Sequence, residues 1–120
     1  MTLDEHDYHG AAEKLVQIIC NGALDAAFVA DFEGRIVAWN AAAENLFGCP
    51  ATDALGGDLN HVLTRMGCPN SFSDGPFPFY WTAQKQDGSK LPVAMSITPV
   101  HVQDQWYGLG IVNISTNRTR

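Results

Sequence analysis

The chain has no run of eighteen apolar residues, so nothing in it reads as a membrane-crossing helix. It opens without a basic region and apolar stretch, since Asp4, Glu5 and Asp7 follow Met1, so no secretory leader is expected. Cysteine is scarce. Cys20, Cys49 and Cys68 are three, an odd number, and are far apart in sequence. They cannot all pair within one chain, and they suit free thiols in a reducing, cytoplasmic setting. They form no cluster with the histidines that would hold a metal. Positive charge is also short: seven Lys and Arg stand against thirteen Asp and Glu, for a formal net charge of −6. Ten of the acids and two of the bases fall in residues 1–60. A chain so charged has no stripe with which to grip a phosphate backbone, and direct nucleic-acid contact is not expected.

What is present is the composition of one globular domain. Hydrophobic residues make up 46% of 120 residues and charged ones 17%, outside the range of disordered chains. At 13.0 kDa about two-thirds of the open chain's surface should be buried, enough for one core.

Residues 1–10 are polar. Residues 11–21 then place Leu15, Ile18 and Ile19 on one helical stripe, with Val16 and Cys20 widening it and Gly22 as a stop. From Ala26 the period changes. Ala27–Phe32 and Arg35–Trp39 read as strands joined by the Glu33-Gly34 turn, an antiparallel hairpin. Asn40 is placed to cap a helix running to Phe47, with Gly48 as its stop. A further turn of helix is expected over 51–56, started by Thr52 or Asp53, and another between Asp58 and Arg65. Residues 67–79 carry the glycines, prolines and serines of a loop, with Phe72, Phe77 and Phe79 either pinning it to the core or lining a cavity mouth. Three strands close the chain: Phe79–Gln84, Leu91–Val100 and Trp106–Ile114, joined by turns at Asp87-Gly88 and Gln103-Asp104-Gln105. In the second of these, Val93, Met95 and Ile97 should face the core, with Ala94, Ser96 and Thr98 opposite. Pro92 and Pro99 should mark strand ends or gaps in the ladder. In the last strand Leu109 and Ile111 alternate with Gly110 and Val112. The fold class is α+β: one five-stranded antiparallel sheet with short helices on one face.

The block from Asp25 to Gly57 (strand, acidic-Gly turn, strand ending in Asn, helix ending in Phe-Gly) resembles the opening of a PAS domain. Residues 84–100 and Tyr107–Thr116 resemble the second half of that family. The resemblance spans residues 22–116, leaving 1–21 as leader and helix and 117–120 as the start of a linker or tail. It implies a sheet order of 2-1-5-4-3, with helices cupping one face around a small cavity. The closing Asp-Ile-Thr of the family is replaced by Asn113-Ile114-Ser115, with Arg118 beyond.

The family senses and relays, so the resemblance implies a non-catalytic input module of a signal-transduction or transcription regulator, with its output domain on another segment or chain. A small apolar ligand would lie among Phe28, Ala30, Phe47, Leu63, Phe79, Val93, Met95, Ile97, Leu109 and Ile111. The alternative is a ligand-free dimerisation or interaction module whose core those side chains fill. No cofactor is expected. Where flavin-binding members carry a reactive Cys and an Arg, this chain reads Gly57-Asp58-Leu59-Asn60-His61. A haem would have to use His61, and a lone histidine is more often structural than a ligand. Gly67-Cys68-Pro69 is only loosely similar to a chromophore-bearing loop. Asp58, His61, Ser71 and Ser73 lack the spacing of a nucleophile, base and orienter, so no catalysis is expected. The remaining expectation is a homodimer, held by the first helix and by an outer sheet face that would display Trp39, Trp106 or Tyr107, and Val112.

Overall fold

The computed structural model describes residues 5–69, 77–85 and 87–115. The readings of Ser71, Phe72, Ser73, Arg118 and the 117–120 tail lie outside these residues.

A 17-residue helix, α1 (Glu5–Asn21), opens the described chain, starting earlier than the expected residue 11. The first hairpin follows, β1 (Ala26–Asp31) and β2 (Ile36–Trp39). Its turn is closed by Asp31, whose Oδ1 accepts from the backbone N–H of Glu33 at 3.0 Å and of Arg35 at 2.9 Å. Gly34 takes the left-handed φ of 87° that this turn demands. Asn40 then caps α2 (Ala41–Phe47), accepting from the Ala43 N–H, and Gly48 ends it at φ 67°. The short α3 (Ala51–Ala54) has Pro50 at its N-cap position rather than a capping Thr52 or Asp53. Its orphan donor is met from α2, where Glu44 Oε2 accepts from the Ala51 N–H at 2.6 Å. Asp58 caps α4 (Leu59–Arg65) through the His61 N–H.

The last three strands are β3 (Phe79–Gln84), β4 (Lys90–Val102) and β5 (Gln105–Ile114). Gln103 and Asp104, at φ 51° and 65°, form the two-residue primed turn that matches strand twist between β4 and β5. The sheet is antiparallel, in the order β2-β1-β5-β4-β3. Pro92 and Pro99 both lie inside β4, not at its ends. Pro99 is tolerated because β4 pairs with β3 only as far as Met95, which leaves one side of the strand open beyond that point.

Two apolar clusters sandwich the sheet. On the inner face, α2, α3 and α4 cover a core that includes Phe28, Trp39, Phe47, Leu63, Val93, Met95 and Val112. On the outer face, α1 lies over Ala27, Val29, Val37, Ala38 and Tyr107.

Three expectations are corrected here. Leu109 and Ile111 belong to the outer cluster, while Val112 belongs to the inner one. The cause is Phe28, whose ring crosses β5 at Gly110. A Cβ there would lie 2.2 Å from Phe28 Cζ, so residue 110 must be glycine and must face inward, which turns 109 and 111 outward. Trp39 is also inside. Its ring packs between Phe28 and Phe47 at centroid distances of 6.1 and 5.6 Å, and its indole N–H donates to the Cys49 carbonyl at 2.9 Å. Finally, α1 docks through Ala12, Val16 and Cys20, leaving the expected stripe of Leu15, Ile18 and Ile19 exposed. The outer face offers small residues at β1 and β2, and the narrow Ala-Val-Cys ridge fits against them. Cys20 Sγ donates to the Ala27 carbonyl at 3.3 Å, which fixes the helix's rotation.

Candidate functional site

The inner face gathers most of the residues expected to line a ligand cavity. Phe28, Phe47, Leu63, Val93 and Met95 are all fully buried in one cluster, with Phe79 and Ile97 partly buried against it. Ala30 is buried but belongs to neither cluster, beside the irregularity in β1–β2 register between Val29 and Ala30. Leu109 and Ile111 stand across the sheet from the rest.

Burial also decides the chemistry of the thiols. Desolvation pushes Cys20 up to about 11, against a smaller lowering by a hydrogen bond from Asn40. Burial alone pushes Cys68 up to about 12. Cys49 is raised too, by burial first and then by the carboxylate of Asp53. A buried neutral thiol is a poor nucleophile and a poor metal ligand. His61 is exposed in the first turn of α4. Among the described residues no three of His, Cys, Asp and Glu gather as metal ligands would. No described helix is long and apolar enough to cross a membrane.

One joint ties the outer helix to the inner face. Asn40 is buried with its amide fully used: Oδ1 accepts from the Ala27 and Ala43 N–H groups, and Nδ2 donates to the Cys20 and Asp25 carbonyls. A single side chain thus holds the last turn of α1, the entry to β1 and the start of α2. Gln17, one turn earlier on α1, adds a bond to the Val37 carbonyl at 3.1 Å.

A cleft of about 710 Å³ opens between α2 and the base of the sheet. Its apolar lining comes from Ala26, Ala42, Leu46, Leu91 and Val112, and its polar groups are Asp25, Asn45, Lys85 and Asn113. None of the ten residues expected to bind a ligand lines it. Sequence reading could not assemble it, because its charges come from the lead-in to β1 and the exit from β3, which only the strand order brings to one cleft.

Residues 13–65 match the family model described as the PAS fold. Solved structures share the whole architecture. The PAS domain of a two-component sensor histidine kinase is 16% identical, with a TM-score of 0.63 over 89% of this chain and 99% of the other. The PAS domain of an HTR-like protein from Haloarcula marismortui is 14% identical, with a TM-score of 0.63 over 92% and 97%. That of the nitrogen regulation protein NR(II) from Vibrio parahaemolyticus is 21% identical, with a TM-score of 0.59 over 84% and 98%. No curated protein sequence matches the chain.

Proposed function

Because the chain has the PAS fold, we propose that it is a non-catalytic sensory input module of a signal-transduction or transcription regulator, relaying its state through a homodimer. The observation that carries this reading is the two-faced α1. Ala12, Val16 and Cys20 dock on the sheet, yet Leu15, Ile18 and Ile19 face water, Ile18 with 67% of its surface exposed. Each exposed apolar Å² costs about 25 cal/mol relative to burial, and a helix meeting its own copy across a two-fold axis removes it. The solved neighbours support the signalling part, one from a sensor histidine kinase and one from a nitrogen regulation protein.

The relay follows from the joint at Asn40. A shift of α1 at the dimer contact pulls on the Cys20 carbonyl, and through Asn40 on β1 and α2. Within the inner core, a small apolar ligand among Phe28, Phe47, Leu63, Val93 and Met95 would have to displace side chains that already fill the space. That packing supports a second reading of this face, a ligand-free interaction module. Mass spectrometry of the denatured protein separates the two: a released small molecule favours the first.

The dimer is tested by sedimentation equilibrium across micromolar concentrations. Ile18→Glu should yield a folded 13.0 kDa monomer where the parent associates. A parent that is monomeric throughout, or an Ile18→Glu variant that associates as well as the parent, overturns the dimer. Val16→Glu is unsuited to this purpose, since Val16 is buried under the helix.

A further inference from the structure

We propose that the cleft between α2 and the base of the sheet binds a short apolar peptide with free termini, its ammonium at Asp25 and its carboxylate at Lys85. The inference extends the sensory reading by giving it a ligand, and it places that ligand outside the packed inner core.

Charge complementarity carries the argument. At one end lies Asp25, whose two carboxylate oxygens accept from the Asn113 amide nitrogen at 3.2 and 3.1 Å in the amide orientation that satisfies both its ends. Among the described residues, no Lys or Arg forms an ion pair with this carboxylate. It is held in place by a neutral amide. At the other end lies Lys85, half-buried, whose ammonium likewise forms no ion pair among the described residues. Its neighbour Asp87 feels its field, but the Asp87 Oδ1 is already taken by the backbone N–H and hydroxyl of Ser89.

Between these ends the lining is apolar. Ala26 and Val112 are buried at the floor, and Leu46 and Leu91 are partly buried beside them. Leu24 stands at the rim with 97% of its surface exposed, and Ile114 beside it is also exposed. The cleft volume of about 710 Å³ lies within the range of ligand sites. Asp25 leads into β1 and Lys85 follows β3, so β5 and β4 lie between them. Three strand spacings amount to at least about 14 Å. The registers set the row of Asp25 near Tyr80 of β3, so Lys85 also lies about five residues, roughly 17 Å, along the strand, and an extended chain of about six residues is needed to span both offsets. Asp25 is exposed and Lys85 half-buried, so both charges are open to a ligand's termini, and a single-charge amphipath would answer only one of them.

The test is calorimetric titration of the whole chain with the hexapeptide leucyl-alanyl-leucyl-alanyl-leucyl-alanine, free, N-acetylated or C-amidated. Each cap should weaken binding about tenfold, the scale of one charge-assisted hydrogen bond. Asp25→Asn should abolish the penalty of acetylation alone, and Lys85→Gln that of amidation alone. Asp25 is exposed and Lys85 half-buried, so thermal melts of the variants should match the parent. Equal binding of free and capped peptides, penalties that persist in the variants, no saturable heat with the free peptide, or octanoate or hexylamine binding as tightly as the peptide overturns the proposal. The dimer reading stands or falls separately, by sedimentation of the same preparations without peptide.

Discussion

The Asn40 amide donates to the Cys20 carbonyl at 3.1 Å across twenty residues of sequence, so the residue that starts α2 also holds the end of α1. A cap of this kind is ordinarily worth about 1 kcal/mol. Here two donors and two acceptors in a buried setting depend on one side chain. Asn40→Ala should therefore cost about 2–4 kcal/mol in urea denaturation, the cap plus the unmet buried groups. Asn40→Asp is the sharper probe. It keeps the oxygens that accept from Ala27 and Ala43 but turns the donating nitrogen into an acceptor facing two carbonyls. Amide hydrogen exchange should rise in the last turn of α1 while the first turn of α2 stays protected. Equal loosening of both ends would show that Asn40 acts only as a cap.

Gly110 and Phe28 make a second pair whose fit can be measured. An alanine at 110 would put its Cβ 2.2 Å from Phe28 Cζ and within 2.6 Å of both Cε atoms, and the ring is fully buried. Gly110→Ala should destabilise by about 2–3 kcal/mol through overpacking. Gly108→Ala is the internal control, because its Cβ would meet only the Ile97 Cγ2 methyl, at 3.2 Å. It should cost about 1 kcal/mol or less. Pairing Gly110→Ala with Phe28→Leu should recover part of the loss, a coupling that independent sites do not show. Additive effects in that double mutant would mean the ring is not what excludes a side chain at 110.

Most elements were legible because the signals for them are local, while the strand order came from the resemblance to a PAS domain. Asn40 and Gly48 bracket α2, Gly34 fixes the first turn, and Val93 alternates with Ala94 and Met95 as a half-buried strand should. The faces of β5 and α1 were less so. In β5 the large residues Leu109 and Ile111 suggest the core, yet the inner position is glycine because a ring from another strand occupies its space. In α1 both stripes are apolar, and the choice between them rests on the small residues of β1 and β2. The cleft charges were the least legible. Asp25 and Lys85 are sixty residues apart, and only the topology places both on its lining.

The two stripes of α1 should separate in a stability measurement on the monomer. Val16→Ala removes two buried methyl groups at the sheet contact and should cost about 1–2 kcal/mol. Ile18→Ala trims an exposed side chain and should stay within about 0.5 kcal/mol. Chemical denaturation at protein concentrations low enough to suppress association checks both. A larger loss at Ile18 than at Val16 would mean that the helix is rotated about its axis.

The buried thiols give an alkaline limit to stability. Cys68 in the folded chain is pushed up to about 12, above the ordinary 9.0 that the unfolded chain should keep, and Cys20 is pushed up to about 11. A group whose folded value is raised stabilises the fold fully below its unfolded value, and loses that contribution as pH rises toward the folded one. Below pH 9 the thiols are therefore neutral in both states and contribute no pH dependence. Above it, the unfolded chain releases protons that the folded chain retains, so the urea midpoint should fall from about pH 9 toward pH 11. Cys68→Ala should flatten that fall, since it removes the more strongly shifted thiol. The same burial predicts slow alkylation. At pH 8 iodoacetamide should reach Cys20 and Cys68 only when the fold opens, so labelling should speed up with urea in step with unfolding. Rapid labelling of either thiol in the absence of urea, or a denaturation midpoint that ignores pH between 9 and 11, would contradict the burial assigned to them.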